Sequence, residues 1–137
     1  SQTWLLKADM SALLPKCGDI AKATLPGRGV TFGRAACLPE FHMVDIRGAH
    51  GGKDGLVYIR GSLSMPRAGK GRLLFGADGP VKVWVNGTAA ACEPRATNPA
   101  VPDQYACPVA WKKGRNALVF ALSTNRGNAW GVIARGE

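Results

Sequence analysis

Glycine and proline punctuate this chain so evenly that no long helix fits between them. Among its 137 residues are 18 Gly and 9 Pro, and the longest stretches free of both are Ser1 to Leu14 and Arg115 to Arg126. Proline lacks a backbone donor and glycine carries the largest backbone entropy cost, so either one ends or weakens a helix. A helical bundle is excluded. Between the breaks lie short runs of β-branched, aromatic and aliphatic residues, the rhythm of an all-β sandwich or barrel. The runs are Thr3 to Lys7, Phe41 to Arg47, Leu56 to Leu63, Arg72 to Phe75, Val81 to Val85, Thr88 to Cys92, Tyr105 to Val109, Ala117 to Leu122 and Ala129 to Ala134. Met10 to Leu38 reads as a segment wandering across one end of the sandwich, with a short helical turn near Ser11 to Leu14. No repeat or linker divides the chain, so residues 1–137 read as a single domain.

Alternation sets the faces. In Val81-Lys82-Val83-Trp84-Val85 the valines point to one side and Lys82 with Trp84 to the other, and the run leads straight into Asn86-Gly87, the pair that best tolerates the positive φ angles of a two-residue hairpin. In the same way Val57 and Ile59 face the core while Tyr58 and Arg60 face outward, and Leu118, Phe120 and Leu122 form another core row.

Four cysteines, Cys17, Cys37, Cys92 and Cys107, include no C-x-x-C pair, and only His42 and His50 add nitrogen donors, which fits neither a zinc ribbon nor a redox motif. Two disulfides are expected; of the three possible connectivities Cys17 with Cys37 and Cys92 with Cys107 is favoured, because each closes a short loop-rich segment, and the setting is secreted, extracellular or periplasmic. The charge balance is basic, with 18 Lys and Arg against 9 Asp and Glu for a formal +9. Along the sequence it is even: residues 1–68 carry 9 basic and 5 acidic groups, residues 69–137 carry 9 and 4. No arm, tail or basic helix stands out, and neither a nucleic acid nor a membrane is expected as partner. The Gly48 to Gly55 segment lacks the first glycine and the Ser or Thr of a phosphate loop, and no H-E-x-x-H or G-x-S-x-G motif is present.

The run Leu73 to Gly87, Trp111-Lys112-Lys113-Gly114-Arg115-Asn116 with its following strand, and Trp130-Gly131-Val132 together resemble galactose-binding-like β-sandwich (jelly-roll) domains. Such domains occur as carbohydrate-binding modules and as accessory domains of polysaccharide-degrading enzymes. The resemblance spans Leu56 to Ala134. It implies an antiparallel sandwich in which Asp78-Gly79, Asn86-Gly87, Gly114 and Asn116 are framework. It further implies a non-catalytic module that holds an attached polysaccharide-active enzyme on its glycan; the basic balance favours an acidic polymer, uronic or sulfated. The alternative is an accessory domain packed on a catalytic neighbour without binding sugar. No cofactor is required. The resemblance allows a structural calcium ion, but no D-x-[DN]-x-[DN]-G loop is present to assign it to.

Sugars are held by an aromatic ring against the apolar face of the pyranose, with polar and charged side chains on the hydroxyls and acidic groups. Two constellations can supply this: Tyr58, Arg60, Lys82 and Trp84 as an outward platform on one sheet, and Asn125, Arg126 and Trp130 at the entry to the last strand. Trp4 and Trp111 are expected to pack in the core or at an edge.

Overall fold

The computed structural model describes residues 3–137; the first two residues of the single-domain reading lie outside them. The strands are β1 (Thr3–Trp4), β2 (Ala8–Ser11), β3 (Phe32–Arg34), β4 (Ala36–Leu38), β5 (Met43–Asp45), β6 (Leu56–Met65), β7 (Gly69–Ala77), β8 (Val81–Val85), β9 (Thr88–Glu93), β10 (Tyr105–Trp111), β11 (Gly114–Ser123) and β12 (Gly131–Gly136). They form two antiparallel sheets. The first runs in the order β10, β7, β12, β5, β4, with β1 also pairing on β12; the second runs β3, β2, β6, β11, β8, β9. A single short helix, α1 (Arg47–His50), and 3-10 turns at Ile20–Lys22 and Pro39–Phe41 complete the described elements.

The core lies where alternation puts it. Val57, Ile59, Leu73, Phe75, Val81, Val83, Leu118, Phe120 and Leu122 meet between the sheets, each almost wholly removed from water. The Asn86-Gly87 turn has positive φ at both residues, 51° and 81°, and pairs Val85 with Thr88. Trp111 is buried in the core edge, and its indole donates to the Glu137 carbonyl at 3.0 Å.

One polar side chain knits the sandwich end where the Asn86-Gly87 hairpin turns. Asn116 is fully buried, accepts from the Lys112 backbone N–H (2.9 Å) and the Asn86 amide (2.9 Å), and donates to the carbonyls of Lys112 (2.9 Å) and Gly114 (3.0 Å). The Lys-Lys-Gly-x-Asn motif is thus a turn whose buried amide satisfies its own backbone and clamps the neighbouring hairpin.

Three expectations are corrected. The turn near Ser11 to Leu14 is extended: Ala8–Ser11 forms β2, Leu14 bridges Leu56, and the helical turn comes later, at Ile20–Lys22, capped by the Asp19 side chain. The Met10 to Leu38 region also contributes β3 and β4, one to each sheet, and between them and β2 it lies as a strap over the outer face of the second sheet. The disulfides are absent. All four cysteines are free, because Cys17 packs with Tyr58 and Trp84 outside the second sheet whereas Cys37 sits on β4 of the first. Cys107 points between the sheets and Cys92 onto the outer cluster, so the second sheet itself separates that pair. Burial pushes both the Cys92 and the Cys107 thiol up, which favours the protonated form.

Two outcomes follow from this packing. Asn116→Ala removes the partner of the Lys112 N–H and of the Lys112 and Gly114 carbonyls and is expected to cost about 1–3 kcal/mol in denaturant unfolding, the range for a group left unpaired; a loss near zero would remove the clamp. Non-reducing peptide mapping is expected to find neither a Cys17–Cys37 nor a Cys92–Cys107 link.

Candidate functional site

The outward platform forms but is covered by the chain itself. Trp84 and Tyr58 are only 5% and 6% exposed, packed with Ile20 and Ala23 of the strap. Lys82 is committed to the same lid: its ammonium lies 5.2 Å from the Trp84 ring centroid and donates to the carbonyls of Ala21 (2.7 Å) and Ala23 (2.9 Å). The Tyr58 hydroxyl donates to the Thr24 carbonyl at 2.6 Å, and burial pushes its phenol up. Arg60 stays exposed at the edge, its guanidinium 3.9 Å over the Phe32 ring and 3.8 Å from Asp9. Tyr58, Lys82 and Trp84 hold the strap down, whereas Arg60 contacts the flanking strands β2 and β3.

The exposed aromatics lie on the other sheet. Trp130 is 46% exposed and Phe41 54%, and with Val101 they border a hollow of about 660 Å³ floored by Met43, Ala100 and Ile133. Each wall has a local cause. Pro39 starts a 3-10 turn that ends at Phe41, and His42 then takes a left-handed conformation (φ 52°) that reverses the chain into β5. The His42 ring stacks on Trp4 at 4.2 Å with an interplanar angle of 14°. The opposite wall is the Asn98–Pro102 loop leading to β10.

Trp130 is held rigidly. The buried Asp78 carboxylate accepts from the backbone N–H of Trp130 (2.7 Å) and Gly131 (3.2 Å), and the Trp130 carbonyl accepts from Ile46 at 2.8 Å. Burial pushes the Asp78 carboxyl up; the two amide donors oppose it without cancelling it. Arg47 lies 3.8 Å over the indole centroid, fixed there by a two-pronged contact to Asp45 (3.0 and 2.8 Å). Burial alone would raise the Asp45 carboxyl, but the side-chain and backbone hydrogen bonds from Arg47 outweigh it and hold it below the ordinary carboxylate range. The result is an indole with one face braced by a cation and its free surface turned to an apolar hollow. Such a surface suits the C–H face of a sugar ring.

The second sequence constellation is divided. Trp130 borders the hollow, whereas Asn125 and Arg126, both in left-handed conformation, line a separate cleft of about 290 Å³ with Lys16, Asp19 and Asp54. Arg126 donates its backbone N–H to Asp54 at 3.2 Å, and Asn125 its amide to the Asp78 carbonyl at 3.3 Å. Phe41 and Val101 were missed because they reach the hollow from distant loops; the Pro39-Glu40-Phe41 turn was the one local signal. His42, expected on a strand, lies instead on the hollow's rim, and His50 is buried in α1, its Nε2 2.8 Å from the Ala129 carbonyl. Among the described residues no three His, Cys, Asp or Glu side chains gather where they could hold a metal ion, so no calcium ligand is assigned.

No protein-family model matches the chain, and no curated protein matches it in sequence. Solved structures do match in shape. A family 35 carbohydrate-binding module from Clostridium thermocellum is 12% identical with a TM-score of 0.51, over 98% of this chain and 97% of that one. The PA14 sugar-binding domain of an RTX adhesin is 15% identical with a TM-score of 0.51, over 97% and 89%. A β-glucosidase from Kluyveromyces marxianus is 11% identical with a TM-score of 0.56 over 92% of this chain, which spans 16% of that enzyme's length. The chain therefore has the galactose-binding-like β-sandwich fold that its motifs resemble.

The Arg47 brace gives a pH dependence with a definite sign. Because the Asp45 value is depressed in the fold, its stabilisation is complete above the ordinary carboxylate range and is lost as pH falls through the lowered value. Acidification should free Arg47 from the indole and change Trp130 emission, measured as the difference between wild type and Trp130→Phe. A flat difference from about pH 5 down to about pH 2 would exclude the brace.

Proposed function

We propose that this domain is a non-catalytic carbohydrate-binding module whose glycan contact is the hollow bordered by Trp130 and Phe41. The observation that carries the reading is a braced, half-exposed indole beside an apolar depression on a fold shared with a carbohydrate-binding module and a PA14 sugar-binding domain. An indole fixed by Asp78 and Arg47 loses little freedom when a sugar stacks on it, so more of the contact energy appears as affinity.

The mechanism is targeting. A module of this kind keeps an attached catalytic domain close to its polymer and raises the effective concentration without adding chemistry. A polysaccharide-active enzyme is the fitting partner, in keeping with the chain's likeness to part of a β-glucosidase. Such work is extracellular or periplasmic, and among the described residues no helix is long and apolar enough to cross a membrane. The formal charge of +9 supports an acidic polymer, uronic or sulfated.

The same half-exposed Phe41, Trp130 and Val101 favour a second reading, an accessory domain that seats this apolar patch on a catalytic neighbour. The two readings part on a single variant. Trp130→Ala is expected to lower glycan affinity about tenfold or more, as truncating a stacking aromatic does, with circular dichroism unchanged. A screen of neutral, uronic and sulfated polysaccharides in which wild type and variant bind equally, or neither binds, would favour the docking role. Trp84→Ala is expected to behave differently, losing about 3–5 kcal/mol of stability because it empties a packed site under the strap.

A further inference from the structure

Basic residues that are dispersed along the sequence meet at one end of the sandwich. Two chain reversals cross between the sheets there: residues 66–68 join β6 to β7, and Lys112-Lys113 join β10 to β11. The registers set them side by side, with Trp111 opposite Gly69, Ala110 opposite Lys70, and Arg115 opposite Ser64. Arg67, Lys70, Lys112, Lys113 and Arg115 are all exposed, and among the described residues none of the five makes an ion pair. Glu137, the carboxylate found at this end, is already engaged by Arg72 and Arg135. Pleating carries Lys70 onto the outer face of the first sheet and Arg115 onto that of the second, so the charges form a band wrapped around the end.

We infer that this band is a binding surface for the anionic groups of an acidic polysaccharide chain. The inference rests on the reading of the domain as a glycan-binding module, and adds to it a second contact at the opposite end from Trp130. Five unpaired cations in a band match a charge that repeats along a polymer, and they hold it by screened attraction rather than by a fitted pocket. The surroundings favour a glycan over a nucleic acid. Trp111, the aromatic ring between the two reversals, is buried with its indole N–H bonded to Glu137, so no ring is offered for base stacking. Among the described residues no helix lies at this end to enter a groove.

The test compares two variants that each lower the formal charge from +9 to 9 − 4 = +5. One replaces Arg67, Lys70, Lys112 and Lys113 by Gln. The other replaces Lys22, Arg28, Lys53 and Arg95 by Gln, exposed cations away from this end. Binding is measured to polygalacturonate, heparin, a neutral glucan and single-stranded DNA at low and high salt. The expected result is a loss of about tenfold or more for the acidic polysaccharides in the band variant, steepest at low salt, with the control close to wild type. A loss on polygalacturonate shows that carboxylate alone is held, since that polymer carries no sulfate, and a loss on heparin with none on polygalacturonate shows that sulfate is needed. Equal losses in both variants, no loss in the band variant, or stronger binding to DNA than to either acidic polysaccharide would each overturn the inference. A wild type that binds a neutral glycan through Trp130 yet ignores both acidic polymers would overturn the band and leave the module reading intact. Binding lost in the band variant but untouched by Trp130→Ala would keep the band and remove the hollow as the sugar contact.

Discussion

The position of the exposed aromatic surface depends on how the strap is fastened to the second sheet. Lys82 on β8 and Tyr58 on β6, either side of β11, reach out to carbonyls of Ala21, Ala23 and Thr24, and Trp84 fills the space beneath. These bonds tie the strap's backbone oxygens to the sheet, and the apolar contacts of Ile20 and Ala23 add the drive to stay closed. Where the strap covers that face no aromatic ring is left open, and the half-exposed rings of Trp130 and Phe41 lie outside the first sheet. The exposed indole and phenyl rings lie there because the second sheet's aromatics are spent on the chain's own cover.

A buried polar side chain works at each end of the sandwich, Asn116 at one and Asp78 at the other, and the two do different work. Asn116 completes a turn and satisfies itself fully, so it is architecture. Asp78 joins the crossing after β7 to the first residues of β12, and through those two amides it positions the ring that borders the hollow. The framework motif and the half-exposed indole are therefore mechanically linked.

Local chemistry was legible in the sequence, and coverage was not. Strict alternation around Trp84 and Tyr58 assigns their face correctly, and Asn86-Gly87 specifies its hairpin, because both signals act within a few residues. What lies on top of a face is decided by a segment tens of residues away. Ala8–Ser11 and Ala36–Leu38 carry few β-branched residues and become strands through pairing with β6 and β5. The same limit hid the hollow, since Phe41 and Val101 approach Trp130 only in three dimensions. It hid the basic band as well, because counting charges along the chain averages over a meeting of two reversals. The disulfide expectation failed for a related reason: proximity in sequence stood in for proximity in space, and the sheets intervene.

The pairing of β1 with the far end of β12 places both described chain ends at one corner, Thr3 opposite Gly136. Trp130 immediately precedes the same strand, about 20 Å away at the usual rise per residue. Any polypeptide joined at either end would leave beside the basic band while the aromatic hollow pointed away from it. The composition of such a linker would then act as a built-in competitor: an acidic one would fold back onto Arg67, Lys112 and Lys113 and mask them, whereas a neutral or basic one would leave them bare. Glycan affinity measured on the isolated domain would in that case differ from affinity in its tethered form, by an amount written in the linker rather than in the fold.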